Sequence, residues 1–198
     1  MSDSAPQLRL ELDIRPLERV PAELAVAGVF LDDRPLRGAA GRADWRLCGL
    51  LTDLVVEEEL NGELGEVVLV GGSGRLAAPT LLVVGLGSRA DFDAASFEVA
   101  TRTAIERVRS LAFNRIAMAP LGVSGEDLVR FSRAFVEGVL AGLGSKALTL
   151  RLCVPEAEEG RIRAELVRCV RDASVEVGAP APPSSATPVA SSGQAPPR

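Results

Sequence analysis

With 198 residues, 47% of them hydrophobic and 25% charged, the chain has room for one domain with a full core and is short for two. Its net charge of −5 argues against non-specific binding to nucleic acid or to an acidic membrane surface. No apolar run reaches the ~18 residues a membrane span needs. Met1 to Gln7 also lacks the basic start and apolar centre of a signal peptide, so a cytoplasmic protein is expected.

After an N-terminal arm over residues 1–7, Leu8, Leu10, Leu12 and Ile14 alternate with Arg9, Glu11 and Asp13. That period of two predicts a half-buried strand near a sheet edge. Leu24 to Leu31 is continuously apolar, as a strand covered on both faces would be. Asp32-Asp33-Arg34-Pro35 ends it in a turn, where aspartate is favoured for its backbone hydrogen bonds. From Gly41 to Glu59 the spacing of Leu47, Leu50, Leu51, Leu54 and Val55 predicts one helix, closed by Asn61-Gly62. Glu66 to Val70 reads as a short strand, followed by Gly71-Gly72-Ser73-Gly74.

The central unit is the apolar run Leu81 to Val84, the turn Gly85-Leu86-Gly87-Ser88, and a helix from about Asp93 with Phe97, Ala100, Ala104, Ile105, Val108 and Leu111 on one face. Arg115 to Ala119 is a strand stopped by Pro120, and Ser124 is a candidate N-cap for a helix that ends at Gly142 and Gly144. Ala147 to Val154 is a strand, and Pro155 introduces a last helix from Glu156 to about Ala173. Val175-Glu176-Val177 adds a short strand or nothing. Residues 178–198 are rich in Pro, Ala and Ser without apolar periodicity, and a disordered tail is expected there. Strands alternating with helices over residues 8–177 predict an α/β domain with a mixed, mostly parallel sheet.

The chain has no histidine and no tyrosine. Ser-His-Asp and Cys-His catalysis and every histidine-containing metal site are thereby excluded. Gly71-Gly72-Ser73-Gly74 and Gly122-Val123-Ser124-Gly125 both fail to complete a nucleophile elbow, because Arg75 and Glu126 stand where the last glycine belongs. Cys48, Cys153 and Cys169 are widely spaced among apolar neighbours and read as buried, reduced thiols. The acidic groups Asp32-Asp33, Glu57-Glu58-Glu59 and Glu156, Glu158, Glu159 read as turn, solvated face and helix start, so no metal and no cofactor is expected. Gly85-x-Gly87-x-x-Ala90 matches a short dinucleotide fingerprint, but its helix opens late and no acidic residue ends the next strand. The residues left as ligand-binding candidates are Gly71, Gly72, Ser73 and Gly74 together with Gly85, Gly87 and Ser88. Glycine loops after strands can wrap an anion with backbone N–H groups, and they also serve as plain turns.

Four stretches resemble the N-terminal domain of the leucine aminopeptidase (cytosol aminopeptidase) family, in the family's order. They are LAVAGVFLDD at 24–33, GEVVLVG at 65–71, LLVVGLGSRAD at 81–91 and FVEGVLAGL at 135–143. The resemblance implies a macro-domain-like three-layer α/β/α sandwich. The motifs that carry the family's two-metal catalysis, "NTDAEGR" and "GKG-x-T-x-D-x-GG", do not occur in these 198 residues, so no catalytic residue can be carried over. The macro-domain "NAAN" signature is absent as well.

Three roles are compatible with this pattern. The first expectation is a non-catalytic domain that binds a partner protein or assembles with itself, without nucleic acid or membrane. The second is a small-ligand module for ADP-ribose or a nucleotide, held by the glycine loops. The third is the accessory half of a split metalloaminopeptidase, acting beside a separate aminopeptidase chain.

Overall fold

The computed structural model describes residues 8–144, 146–170 and 175–178. Its strands are β1 (Leu8–Asp13), β2 (Leu24–Val29), β3 (Val67–Gly71), β4 (Thr80–Gly85), β5 (Arg115–Met118), β6 (Leu148–Cys153) and β7 (Val175–Gly178). Its helices are α1 (Gly38–Arg46), α2 (Leu50–Val56), α3 (Ala94–Ser110), α4 (Gly125–Leu143) and α5 (Glu159–Cys169). The seven strands form one sheet in the order β3-β4-β2-β5-β6-β1-β7. All neighbours are parallel except β3 against β4.

Side chains alternate across the sheet and build two cores. On one face Leu10, Leu12, Val26, Val84, Ile116 and Leu150 pack under α3, α4 and α5 through Phe97, Phe135 and Ile162. On the other, Ala25, Ala27, Val29, Leu81 and Val83 meet α1 and α2 through Ala40, Ala43 and Leu51. The result is the three-layer α/β/α sandwich expected. Helices α3 and α4 cross closely because glycine lines the seam. A Cβ on Gly138 would stand 2.7 Å from the Glu98 carbonyl oxygen, and one on Gly142 would stand 2.8 Å from that of Arg102. Gly142 is therefore a packing residue inside α4, and Gly144 alone follows the helix.

Strand β1 does lie near a sheet edge, as the last strand but one, between β6 and the edge strand β7. Its alternation separates two faces: Leu8, Leu10 and Leu12 are buried in the α3–α5 core, whereas Arg9 and Glu11 carry ion pairs on the opposite face. Arg9 pairs with Glu176 at 3.1 Å and Arg151 with Glu11 at 3.0 Å. Residues 175–178 do form a strand, the outer partner of β1. Several expectations are corrected. The single helix predicted over 41–59 is two, broken where Cys48 (φ 61°) and Gly49 (φ 91°) turn left-handed. Asp44, near the end of α1, starts α2 by accepting from the Leu51 and Thr52 N–H groups at 2.8 and 3.1 Å. Helix α2 ends at Val56, with Glu58 in the left-handed turn (φ 59°), so Asn61-Gly62 is not its cap. The last helix begins with a 3-10 turn at Glu156–Glu158 and ends at Cys169. Cys48 is exposed, against expectation; Cys153 is buried and Cys169 half-buried. The arm at 1–7 and the tail from residue 179 onward lie outside the described residues. Among the described residues no helix is long and apolar enough to cross a membrane.

Candidate functional site

From β2 the chain leaves into α1 on one face of the sheet; from the neighbouring β5 it leaves into α4 on the other. Such a divergence opens a crevice at the carboxyl ends of the strands, where open α/β sheets place their ligands. Here the crevice is a cleft of about 620 Å³. Its walls include Ile14 after β1, Phe30 after β2, Ala119 after β5 and Val154 after β6, with Gly38 at the start of α1 and Ser124-Gly125 at the start of α4. Gly122 must be glycine: its φ is +75°, and a side chain there would strike the Phe30 ring.

Four arginines reach the cleft, Arg15, Arg37, Arg42 and Arg89, and three are already engaged. Arg15 donates to the Asp13 carboxylate at 2.9 and 2.6 Å. Arg42 meets Glu18 at 3.3 Å. Arg89 donates to both oxygens of buried Asp33, at 3.0 and 2.8 Å, and lays its guanidinium 4.0 Å from the Phe30 ring centre. Among the described residues Arg37 makes no side-chain hydrogen bond or ion pair and is exposed. Burial pushes the Asp13 carboxyl up, but the Arg15 side chain and N–H, with the charges of Arg15 and Arg151, outweigh that and hold it below its usual range. Cys153, at the end of β6, goes the other way. Burial first, then the carboxylates of Asp13 and Glu18, push its thiol up to about 12, so it is no nucleophile at neutral pH.

The N-terminus of α4 is filled by the protein's own groups. The Ser124 hydroxyl accepts from the Asp127 N–H at 3.1 Å and donates to the Asp127 carboxylate at 2.8 Å. Glu158, from the 3-10 turn before α5, brings its carboxylate against Gly125; Oε2 would lie 3.2 Å from a Cβ there. That oxygen is buried and has no hydrogen-bond partner among the described residues. The positive end of the helix dipole, which would otherwise attract a phosphate, therefore faces Glu126, Asp127 and Glu158. Among the described residues no cluster of three or more Cys, Asp and Glu side chains could hold a metal ion.

None of the seven candidates from the sequence lines this cleft. Gly71 to Gly74 form the hairpin at the amino end of β4, and Gly85, Gly87 and Ser88 lie at its carboxyl end, roughly 17 Å away at ~3.3 Å per residue. Six of the seven have a local structural duty, Gly71 being the exception. Gly72 donates to the Pro79 carbonyl at 2.7 Å, and Ser73 and Gly74 turn with φ of 49° and 69°. A side chain on Gly85 would strike the Glu63 carbonyl oxygen, and Gly87 (φ +76°) is tied to Gly62 and Leu31 by hydrogen bonds of 2.8 and 2.9 Å. Ser88 caps a 3-10 turn by accepting from Ala90 at 3.2 Å. The sequence reading missed the cleft's own residues, Arg15, Arg37, Arg42, Arg89 and the Gly122–Gly125 loop. The signal was the position of Arg15, Arg89 and the Gly122–Gly125 loop within a few residues of the carboxyl ends of β1, β4 and β5.

The model of the cytosol aminopeptidase family N-terminal domain matches residues 26–145, more than half of the chain. A probable cytosol aminopeptidase of Alkaliphilus metalliredigens is 24% identical over 128 residues, which is 64% of this chain and 26% of that protein. One of Trichormus variabilis is 24% identical over 69% of this chain and 28% of its own length. The chain thus spans about a quarter of these relatives. Among solved structures, a tomato leucine aminopeptidase mutant superposes with a TM-score of 0.62 at 21% identity, covering 85% of this chain and 37% of that one. A mutant macrodomain of Oceanobacillus iheyensis with ADPR gives 0.63 at 15% identity, covering 82% and 94%. The fold is that of aminopeptidase N-terminal domains and macrodomains alike, and the sequence match decides between them: the chain belongs to the cytosol aminopeptidase family, through its N-terminal domain.

Proposed function

We propose that this domain is non-catalytic and works by interaction in the cytoplasm, with a second copy, a partner protein or a separate aminopeptidase chain on its surface. The observation that carries the proposal is the open edge at β3. The apolar run Val67-Val68-Leu69-Val70 ends the sheet, and Leu64 and Leu69 beside it are 44% and 46% exposed. Trp45, the sole tryptophan, is 79% exposed in a shallow groove shared with Gly74 and Arg75 of the adjoining hairpin. Large exposed apolar groups at a sheet edge mark a surface for association.

A second reading is favoured by one feature. Among the described residues Arg37 holds an unpaired guanidinium at the cleft, and two neighbours of the same fold are macrodomains solved with ADPR and with ADP. An ADP-ribose or nucleotide would use that cleft rather than the glycine loops. The three carboxylates at the α4 N-terminus oppose a diphosphate there and place this reading second.

Thermal shift of the purified protein against ADP-ribose, nucleotides, divalent metals and peptides, run beside light scattering, separates the two. A defined oligomer, or a stoichiometric complex with an aminopeptidase chain, without nucleotide stabilisation is the expected result. Stabilisation by ADP-ribose alone would replace the first reading with the second.

A further inference from the structure

We infer that β3 pairs antiparallel with β3 of a second copy, about a two-fold axis at Leu69, joining two sheets into one; this rests on the interaction-domain reading. The β3–β4 ladder fixes which backbone groups are available. Gly85 donates to the Glu66 carbonyl at 2.8 Å and Gly72 donates to that of Pro79 at 2.7 Å. In the antiparallel register Val67↔Val84 to Gly71↔Thr80, bonding alternates, so Glu66, Val68, Val70 and Gly72 face β4. Val67, Leu69 and Gly71 consequently point N–H and C=O away from the sheet, and none of these groups finds an outward hydrogen bond among the described residues.

The strand is self-complementary. A two-fold axis at Leu69 sets Leu69 against its own copy and Val67 against Gly71, so that all three outward residues exchange bonds. Flanking Glu66 then falls opposite Gly72 rather than opposite its own copy, so no like charges meet. Two devices that blunt natural edges, proline and charge, are missing from residues 67–71. The half-exposed Leu69 side chain is covered by its symmetry mate, as an isologous contact requires. A five-residue strand pair is smaller than a standard interface of about 1,600 Å², so the dimer is weak and concentration-dependent.

Sedimentation of the full chain across a concentration series tests this. The mass should double as concentration rises, and both Leu69→Lys and Leu69→Pro should stay monomeric while unfolding as cooperatively as the wild type. Leu69→Pro removes only an outward N–H and leaves the β3–β4 bonds intact. Should both variants misfold, cross-linking keeps the test. In a Cys48→Ser background Leu69→Cys should oxidise to a disulfide-linked dimer, since facing residues of a bonded pair lie ~5.5 Å apart, and Val67→Cys should not. A wild type that stays monomeric, a Leu69→Lys chain that still dimerises, or oligomers that grow without limit through β3 on β7 would each overturn the pairing. A monomer that still binds an aminopeptidase chain would sink the pairing and spare the interaction-domain reading. One that binds no protein would sink both.

Discussion

Arg15 grips the carboxylate two residues behind it, donating to Asp13 from its side chain at 2.9 and 2.6 Å and from its backbone N–H at 3.0 Å. The pair closes the end of β1, and Arg15 lines the cleft. Asp13 is buried, so its charge is tolerated only because these donors surround it. Replacing it as Asp13→Asn removes a charge-assisted bond and should lower unfolding free energy by about 2 kcal/mol at pH 7. The folded-state pKa lies below the unfolded one, so this contribution is present above about pH 4 and lost as the pH falls through the folded value. Urea midpoints at pH 7 and pH 3 should therefore differ by more in the wild type than in the variant.

The cysteines divide by environment. Cys48 is exposed at a break between helices, with its sulfur against the Arg75 guanidinium, whereas Cys153 is buried with its thiol pushed up to about 12. Iodoacetamide at pH 8 should label Cys48 in the native protein and reach Cys153 only after denaturation. Mass spectrometry of the labelled peptides reads the result, and rapid native labelling of Cys153 would contradict the packing of β6.

Gly85 and Ser88 distinguish a structural turn from a ligand loop. Gly85→Ala sets a methyl against the Glu63 carbonyl and should cost about 3 kcal/mol by overpacking. Ser88→Ala removes one exposed turn contact and should stay within ~0.5 kcal/mol. Chemical denaturation supplies both numbers. A Ser88→Ala variant that keeps its stability but abolishes a nucleotide-induced thermal shift would restore the glycine loop as a ligand site.

At the start of α4, Ser124→Ala removes the cap on the Asp127 N–H and should destabilise by about 1 kcal/mol. Glu158→Gln acts on charge instead. It removes a carboxylate from the positive end of the helix, and ADP should then stabilise the variant in thermal shift more than it does the wild type. An equal response in both would show that Glu158 does not shield the helix terminus.

How far the fold could be read from the sequence depended on the range of the interactions involved. The strand–turn–helix from Leu81 to Leu111 was legible because Leu81 to Leu86 are buried without interruption and the period then switches cleanly from strand to helix. The break at Cys48-Gly49 was not, because a leucine spacing of helical period runs through it; the interruption shows only in the Asp44 carboxylate that starts α2. The alternation in β1 was legible as a strand near an edge, whereas its outer partner β7 was left open, because Val175-Glu176-Val177 is too short for a pattern to declare a strand. The cleft was the least legible part. Arg15, Arg37 and Arg89 are far apart in sequence and each is an ordinary surface residue alone; only the parallel arrangement of β1, β2 and β4, which they follow, gathers them.

That order also governs when the molecule can fold. Leu8 finds its partners at Leu148 and Val175, so the first strand of this sheet to be synthesised has no neighbour until nearly the last one has emerged. Strands β2 to β5, with α3 packed over them, can settle earlier around the Leu82–Phe97 core. Throughout elongation the segment Leu8–Asp13 waits as an unpaired strand with three buried-face leucines in the open. Such long sequence separation slows closure and lengthens the interval in which a nascent chain can stick to another. A chaperone that holds extended apolar segments should therefore be needed at β1 first, and released only when β6 and β7 arrive.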